Sequence, residues 1–382
     1  MTVAQPHPSR PADPYIVDLF AGPGGLDLAA EVLGVRSVGL EWDPDACATR
    51  RAAGLLTVEG DVRKSGPADF PEANILAGGP PCQTFTVAGG GAGRRALDDV
   101  LKFVQRLVDR DTRTNIDADL ALMDDERTGL VLEPLRWALD AIDNPELNPY
   151  RAIVLEQVPA VLPVWAAFGD ALEDQGYSVD FRVLHTEEFG VPQTRRRAVL
   201  IAHRDERRVV LPSPTHHRYR KGVDRPQGDA KRAPWVSMQD ALEARASIPF
   251  QVVSNYGTGG DPKARGRRRS CEPSATVTGK ISRNRIVTDD DREQELRRFD
   301  FSEAGQLQTF PARYPWSGKD IAQQIGNAVP PRLAVHILSA ALGLAPPEEE
   351  QWVRLAKWSP SSHSEIPPQA IEPVPDALCA PH

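Results

Sequence analysis

The apolar positions of this 382-residue chain fall into short continuous runs separated by longer periodic stretches. Residues 15–20 (YIVDLF) form a run that ends at glycines, and apolar residues from Leu26 to Leu33 follow at helical spacing, which predicts strand, tight turn and helix. Residues 36–42 (RSVGLEW) predict a second strand, and NILAGG, RAIVLEQV and RAVLIAH repeat the pattern between helical stretches. Such alternation predicts an α/β fold, a Rossmann-like doubly wound and mostly parallel sheet with ligands at the carboxyl ends of its strands.

Three regions break the pattern. Residues 94–124 read as an inserted helical segment, with Leu97, Val100, Leu101, Val104, Leu107 and Val108 at helical spacing. Residues 205–270 are rich in Arg, Pro and Gly with weak periodicity and predict a smaller, irregular second domain. From Pro346 the chain turns to Pro, Glu and Ser, a tail beyond one short helix. The expected organisation is a flexible N-terminus over 1–14, a main domain over 15–204 carrying the insertion, a second domain over 205–300, a return to the first over 301–345, and a tail over 346–382.

Composition adds exclusions. A 41% hydrophobic content suffices for a full core, and no run approaches the roughly 20 apolar residues of a membrane span. The first residues lack the blocks of a signal peptide, so a cytoplasmic location is expected. Cys47, Cys82, Cys271 and Cys379 are scattered, without the spacing of a metal site or a disulfide scaffold, and no metal is expected. The net charge of −8 is uneven: between Arg204 and Arg285 stand eighteen Lys and Arg against eight Asp and Glu. A basic stretch is usually a solvated face, and its position decides whether it is more.

Two segments carry candidate chemistry. In Asp18-Leu-Phe-Ala-Gly-Pro-Gly-Gly25 small residues let the chain turn sharply and a ligand approach the backbone, as in any nucleotide site of this architecture. Glu41 and Trp42 close the second strand, a carboxylate suited to ribose hydroxyls and an indole suited to an adenine face, and Asp61 could accept from an adenine amino group. In Gly78-Gly-Pro-Pro-Cys82-Gln-Thr-Phe two prolines fix the backbone before a thiol at a strand's carboxyl end. A lone Cys is usually a small buried hydrophobe, but this is where a nucleophile would be presented.

DLFAGPGG and GGPPCQTF resemble the cofactor and nucleophile motifs of the DNA (cytosine-5) methyltransferase family of bacterial or phage type. Further similarities follow in order: Asp125, Arg127 and Leu130; LEQV at 155–158; FGVPQTRRRAVLIA at 189–202; GQLQTFPARY at 305–314; and QQIGNAVPPRLA at 323–334. The resemblance implies methyl transfer from S-adenosylmethionine, leaving S-adenosylhomocysteine, to carbon 5 of a cytosine flipped out of duplex DNA. It implies that Cys82 adds to carbon 6, that Glu156 holds N3 and the exocyclic amine, and that Arg195 and Arg197 share one face of a strand and bind the O2 edge, with Arg196 pointing away. To donate to N3, Glu156 needs a proton, which burial favours.

The same resemblance gives a cofactor role to Phe20, Gly22, Gly24, Glu41, Trp42, Asp61, Leu130 and Asn327. Pro81 is placed with them and shapes the nucleophile turn, and Gln193 supports the arginines. DNA contacts are expected from Gln83 and Thr86, and from Arg267, Arg268 and Arg269 to phosphates, because the basic stretch lies where the family has its target-recognition region. Gln157 and Thr86 depart from the family's usual Asn and Ser. The expected partners are double-stranded DNA and a restriction endonuclease acting separately, with no membrane, and the chain is expected to be a monomer. An RNA cytosine-5 methyltransferase and a DNA-binding regulator on the same fold are the alternatives, and a nicotinamide oxidoreductase shares only the glycine turn. The insertion is expected to limit closure of the catalytic loop over DNA, affecting turnover and sparing cofactor binding.

Overall fold

In the computed structural model, residues 13–81, 92–121, 126–205, 207–226, 231–254 and 266–360 are described, with backbone alone for 92–96 and 126–128. Seven strands form the main sheet in the order β3-β2-β1-β4-β5-β7-β6. They are β1 (Tyr15–Leu19), β2 (Arg36–Glu41), β3 (Thr57–Glu59), β4 (Ile75–Gly78), β5 (Ala152–Gln157), β6 (Ser178–His185) and β7 (Arg196–His203). All pairings are parallel except those of β7, which runs against both β5 and β6. The expected α/β, mostly parallel, doubly wound sheet is the observed one.

The order reverses between β1 and β4, so the chain leaves these adjacent strands in opposite directions and opens a crevice at their carboxyl ends. β1 and β4 are buried along almost their whole length, as a sheet covered on both faces requires. One face carries a cluster with Leu19, Leu76, Trp137, Leu155 and Trp165, the other a cluster with Ile16, Leu28, Val154, Val199 and Leu338. The first helix, Gly25–Val32, lies on the second face against helix Pro331–Leu342.

The insertion forms helices Ala92–Val108 and Arg113–Leu120, burying Val100, Phe103, Val104 and Ile116 in the first cluster. The stretch read as irregular is more ordered than expected. A second, antiparallel sheet takes the order β11-β10-β8-β9, from β8 (Phe250–Val253), β9 (Arg267–Arg269), β10 (Arg285–Thr288) and β11 (Glu295–Leu296). Its strands have two to four residues, too short for an alternating pattern to stand out. It has its own core of Met238, Phe250, Val277, Ile286, Phe299, Leu307 and Ile325. Residues 301–342 therefore bridge both bodies, since Leu307 and Ile325 sit in this core and Phe310, Ala328 and Leu333 in the main one.

Candidate active site

The glycine turn after β1 is built for close approach. Phe20, Gly22 and Gly24 take positive φ values of 58°, 55° and 99°, which Gly adopts freely and Phe20 adopts at a cost. A Cβ on Gly25 would stand 2.1 Å from the carbonyl oxygen of Val329, and one on Gly24 would stand 2.2 Å from Leu55 Cδ1. A Cβ on Gly22 would meet nothing within 4 Å, so that side of the turn is open. Tyr314 donates its hydroxyl to the carbonyl of Pro23 and fixes the outer edge.

A cleft of about 940 Å³ runs from this turn across the ends of β4 and β5. Phe20, Gly22, Glu41, Pro81, Glu156, Arg195, Arg197 and Asn327 line it, bringing together eight of the thirteen residues expected in catalysis and cofactor binding. Gly24 sits behind the wall. Glu41 is occupied from within: Oε2 accepts from the Gly22 amide at 2.7 Å, and Oε1 from the Trp42 and Asp43 amides at 2.8 and 2.7 Å. Its carboxylate thereby ties the turn to the end of β2, and Oε2 keeps a lone pair for a ligand.

Besides Gly24, three residues expected at the cofactor stand outside the cleft lining. Trp42 is 60% exposed, with the Arg63 guanidinium 5.6 Å from its ring centroid. Asp61 accepts from Arg63 Nε and Nη2 at 3.0 and 2.8 Å. Burial works against the charged form of Asp61, but Arg63 outweighs it and holds the carboxyl below its usual value. Leu130 packs half-buried against the first core cluster. Cys82, Gln83, Thr86 and Asp125 lie outside the described residues.

At the reacting end, Glu156 closes β5 and Arg197 stands near the start of neighbouring β7. Arg197 Nε lies 2.8 Å from Glu156 Oε1, with side chains 12% and 8% exposed. Arg195 is buried: Nη1 donates to the carbonyls of Val277 and Gly326 at 3.1 and 3.0 Å, Nη2 to that of Ala328 at 3.4 Å, and Nε has no partner among the described residues. Burial and then Arg197 press its pKa down to about 9, which leaves it charged at neutral pH. Arg196 is exposed. Gln193 is fully buried, donating to the Leu307 carbonyl and Gln308 Oε1 and accepting from the Val277 amide at 2.8 Å.

Several cleft residues escaped the sequence reading. Ser254, Thr276, Thr278 and Lys280 line the cleft as well. For the last three, the small polar residues of the segment EPSATVTGK at 272–280 were the available signal. Asp18 also lines the cleft; burial and then the carboxylate of Asp27 push it well above the usual carboxylate range. Beneath it Arg50, itself fully buried, binds Asp27 at 2.6 Å.

The three arginines expected at phosphates are engaged within the chain. On β9, Arg267 pairs with Glu293 at 2.5 Å and Arg269 with Asp289 at 3.2 Å. Arg268 points to the other face, where its guanidinium lies 4.6 Å from the Tyr219 ring centroid and donates to the Tyr219 hydroxyl at 3.0 Å.

The sequence profile of C-5 cytosine-specific DNA methylases matches residues 15–105 and 151–342. The chain is 28% identical over 359 residues to the Type II methyltransferase M1.HphI of Haemophilus parahaemolyticus, covering 85% of this chain and 86% of that one. It is 24% identical over 348 residues to the Type II methyltransferase M.MthTI of Methanothermobacter thermautotrophicus, covering 84% and 94%. Its fold resembles the crystal structure of the S. pombe Dnmt2 methyltransferase, with a TM-score of 0.57 and 16% identity over 86% of this chain and 98% of that one. With the crevice at the strand reversal, the open glycine turn and the buried Glu156–Arg197 pair, the profile match over most of the length makes this chain a member of the C-5 cytosine-specific DNA methylase family, an enzyme that methylates carbon 5 of cytosine in DNA.

Proposed function

We propose that the methyl donor is S-adenosylmethionine and that transfer proceeds through a covalent bond between Cys82 and carbon 6 of a cytosine flipped out of duplex DNA. The observation that carries this reading is the buried Glu156–Arg197 pair, on the same cleft as the glycine turn and beside the turn 79–81 that leads into Cys82. The donor fits. Gly22 leaves open the space a side chain would fill, Glu41 keeps a lone pair for a ribose hydroxyl, and Phe20 and Asn327 line the same cleft. When bound, S-adenosylmethionine supplies an electrophilic methyl group on a sulfonium.

The chain's own residues prepare the cytosine for it. The Cys82 thiolate forms a bond to carbon 6, and the electron pair of the 5,6 double bond is delocalised toward carbon 5 and N3. Glu156 gives N3 its proton, and Arg197 compensates the carboxylate left behind. After methylation, the carbon 5 proton is lost to solvent, the double bond is restored as the thiolate leaves, and N3 returns its proton to Glu156. Arg195, committed to three carbonyls, acts through the wall it ties rather than on the base. Residues 15–204 would carry catalysis and donor binding and 205–300 target recognition, the latter supplying Ser254, Thr276 and Lys280 to the cleft. The enzyme would act as a monomer, any cognate restriction endonuclease being a separate protein.

Duplex DNA carrying 5-fluorocytosine in the target should trap a covalent complex in the presence of S-adenosylmethionine, because fluorine cannot leave as the proton does. Cys82→Ser should abolish the trapped complex; an adduct that persists in this variant sinks the assignment.

A further inference from the structure

The inserted helices reach a part of the molecule that the sequence did not connect with them. Arg113, on helix Arg113–Leu120, donates from Nη2 to the backbone carbonyl of Arg63 and is held by Asp117 one turn on, at 3.1 Å from its Nε. Arg63 is the residue whose guanidinium grips Asp61 and lies over Trp42. On the next helix, Glu133–Asp143, the buried Arg136 donates from Nη2 to the carbonyls of Val62 and Ser65, each at 2.9 Å, and Trp137 donates to that of Val62 at 3.3 Å. Three carbonyls of the loop following Asp61 are thus bound by side chains from outside it. Leu120, at the end of the inserted pair, also covers Gly129 beside Leu130.

The insertion therefore stands over the elements to which a donor role is assigned away from the glycine turn: Asp61, Trp42 beside it, and the segment of Leu130. Arg113 and Arg136 fall in residues 106–150, between the two stretches that match the family profile.

We propose that the inserted helical pair is a brace for the donor site, with Arg113 as a positioning residue that sets Asp61 and Trp42 through Arg63. The inference rests on the reading that Asp61 and Trp42 face the adenosine of S-adenosylmethionine. The bond from Arg113 to the carbonyl of Arg63 adds to the hold of Arg136 and Trp137 on the carbonyls of Val62 and Ser65, and it acts at the residue that grips Asp61, so its loss loosens the donor side of the site and leaves the cytosine side in place. This is the reverse of the expected role, in which the insertion acts on turnover and spares donor binding.

The test uses the full chain and four variants, with calorimetric titration of S-adenosylhomocysteine and steady-state methylation of duplex DNA. Arg113→Ala should raise the Kd and the KM for the donor about three- to tenfold, with kcat at saturating donor kept within about twofold. Arg113→Lys, which retains a charged donor on a shorter, unforked side chain, should recover part of the loss. Arg110→Ala breaks the Arg110–Asp143 pair on the same insertion without touching the loop, and should leave both constants unchanged. Equal losses in Arg113→Ala and Arg110→Ala would mean general loosening and overturn the proposal. Unchanged affinity in Arg113→Ala, with affinity lost in Asp61→Ala, overturns the brace and leaves the donor site as read. Unchanged affinity in Asp61→Ala refutes the reading of the donor site, and the brace with it.

Discussion

The side-chain amide of Gln157 donates to the carbonyl of Pro80 at 2.5 Å, joining the end of β5 to the turn that enters the nucleophile segment two residues later. The other end of the same amide accepts from the backbone of Val158, so Gln157 is held from both sides. The longer side chain that replaces the family's usual Asn therefore has a partner at each end of its amide. It links the residue after Glu156 to the residue before Pro81, and so couples the acid to the turn that leads into the thiol.

Gln157→Ala should cut single-turnover methylation about 10- to 100-fold, because a small displacement between reacting groups costs much rate, while Kd for the donor stays within about twofold. Gln157→Asn, too short to meet both partners at once, should fall between the two. Rapid-quench measurement on a saturating duplex checks this, and equal rates in all three proteins would refute the coupling.

Arg197→Ala leaves Glu156 buried without its counter-charge. Methylation should fall about 100- to 1,000-fold, and stability by about 3–5 kcal/mol, since removing one partner of a buried pair exposes the other to the full desolvation cost. Glu156→Gln keeps the shape and an acceptor oxygen but has no acidic proton to give and leaves Arg197 without its counter-charge, so its rate should fall and its denaturant midpoint should drop, though less than that of Arg197→Ala. Chemical denaturation alongside the rate assay separates the two effects.

The arginines of β9 should divide. Arg268→Ala removes a ring contact and a hydrogen bond in a partly buried site and should destabilise the protein by about 1–3 kcal/mol. Arg267→Ala and Arg269→Ala break more exposed pairs and should change stability by less than about 1 kcal/mol. Any phosphate contact should appear in these two as a salt dependence of DNA binding reduced by about 1 per contact. Denaturation curves with binding isotherms across salt concentrations decide it.

His336 lies buried between the rings of Phe189 and Trp352, with centroids 5.2 and 5.1 Å away. Burial, then Arg332 and His216, press its pKa down to about 3, and burial and Arg332 press His216 to about 4. Both lie below the unfolded value of 6.5, so the unfolded chain binds more protons on the acid side. Their stability contribution is whole above about 6.5 and drains away as pH falls toward 3 to 4. Glu187, raised to about 7 by burial, runs the other way, its contribution whole at low pH and lost as pH rises through 7. His336→Gln should make the acid loss shallower by up to about 1.4 kcal/mol per pH unit. Unfolding midpoints between about pH 7 and pH 4 measure the slope; identical slopes in both proteins would rule this out.

The main sheet and the cleft were legible because their signals are local. Glycines that must take positive φ, prolines before a thiol, and arginines two apart announce themselves within a few residues. Long-range engagement was not legible. Whether Arg268 faces inward depends on the register of a three-residue strand, and its partner Tyr219 lies 49 residues away. The occupation of Glu41 by three amides follows from the turn's closed geometry and not from residue type. The contact of Arg113 was not legible either, because its acceptor is a carbonyl 50 residues earlier, and a backbone oxygen leaves no mark in a sequence.

The commitment of Arg195 and Gln193 to the backbone of Val277 also fixes where the chain can be cut and rejoined. A chimera that imports foreign sequence only between residues 205 and 270 keeps Val277 and both of its contacts native. One that extends the graft to residue 300 must recreate that carbonyl and amide from a different chain, at the wall of the cleft itself. The proper junctions for transplanting sequence preference therefore lie inside the second sheet's own body, and not at its outer edge.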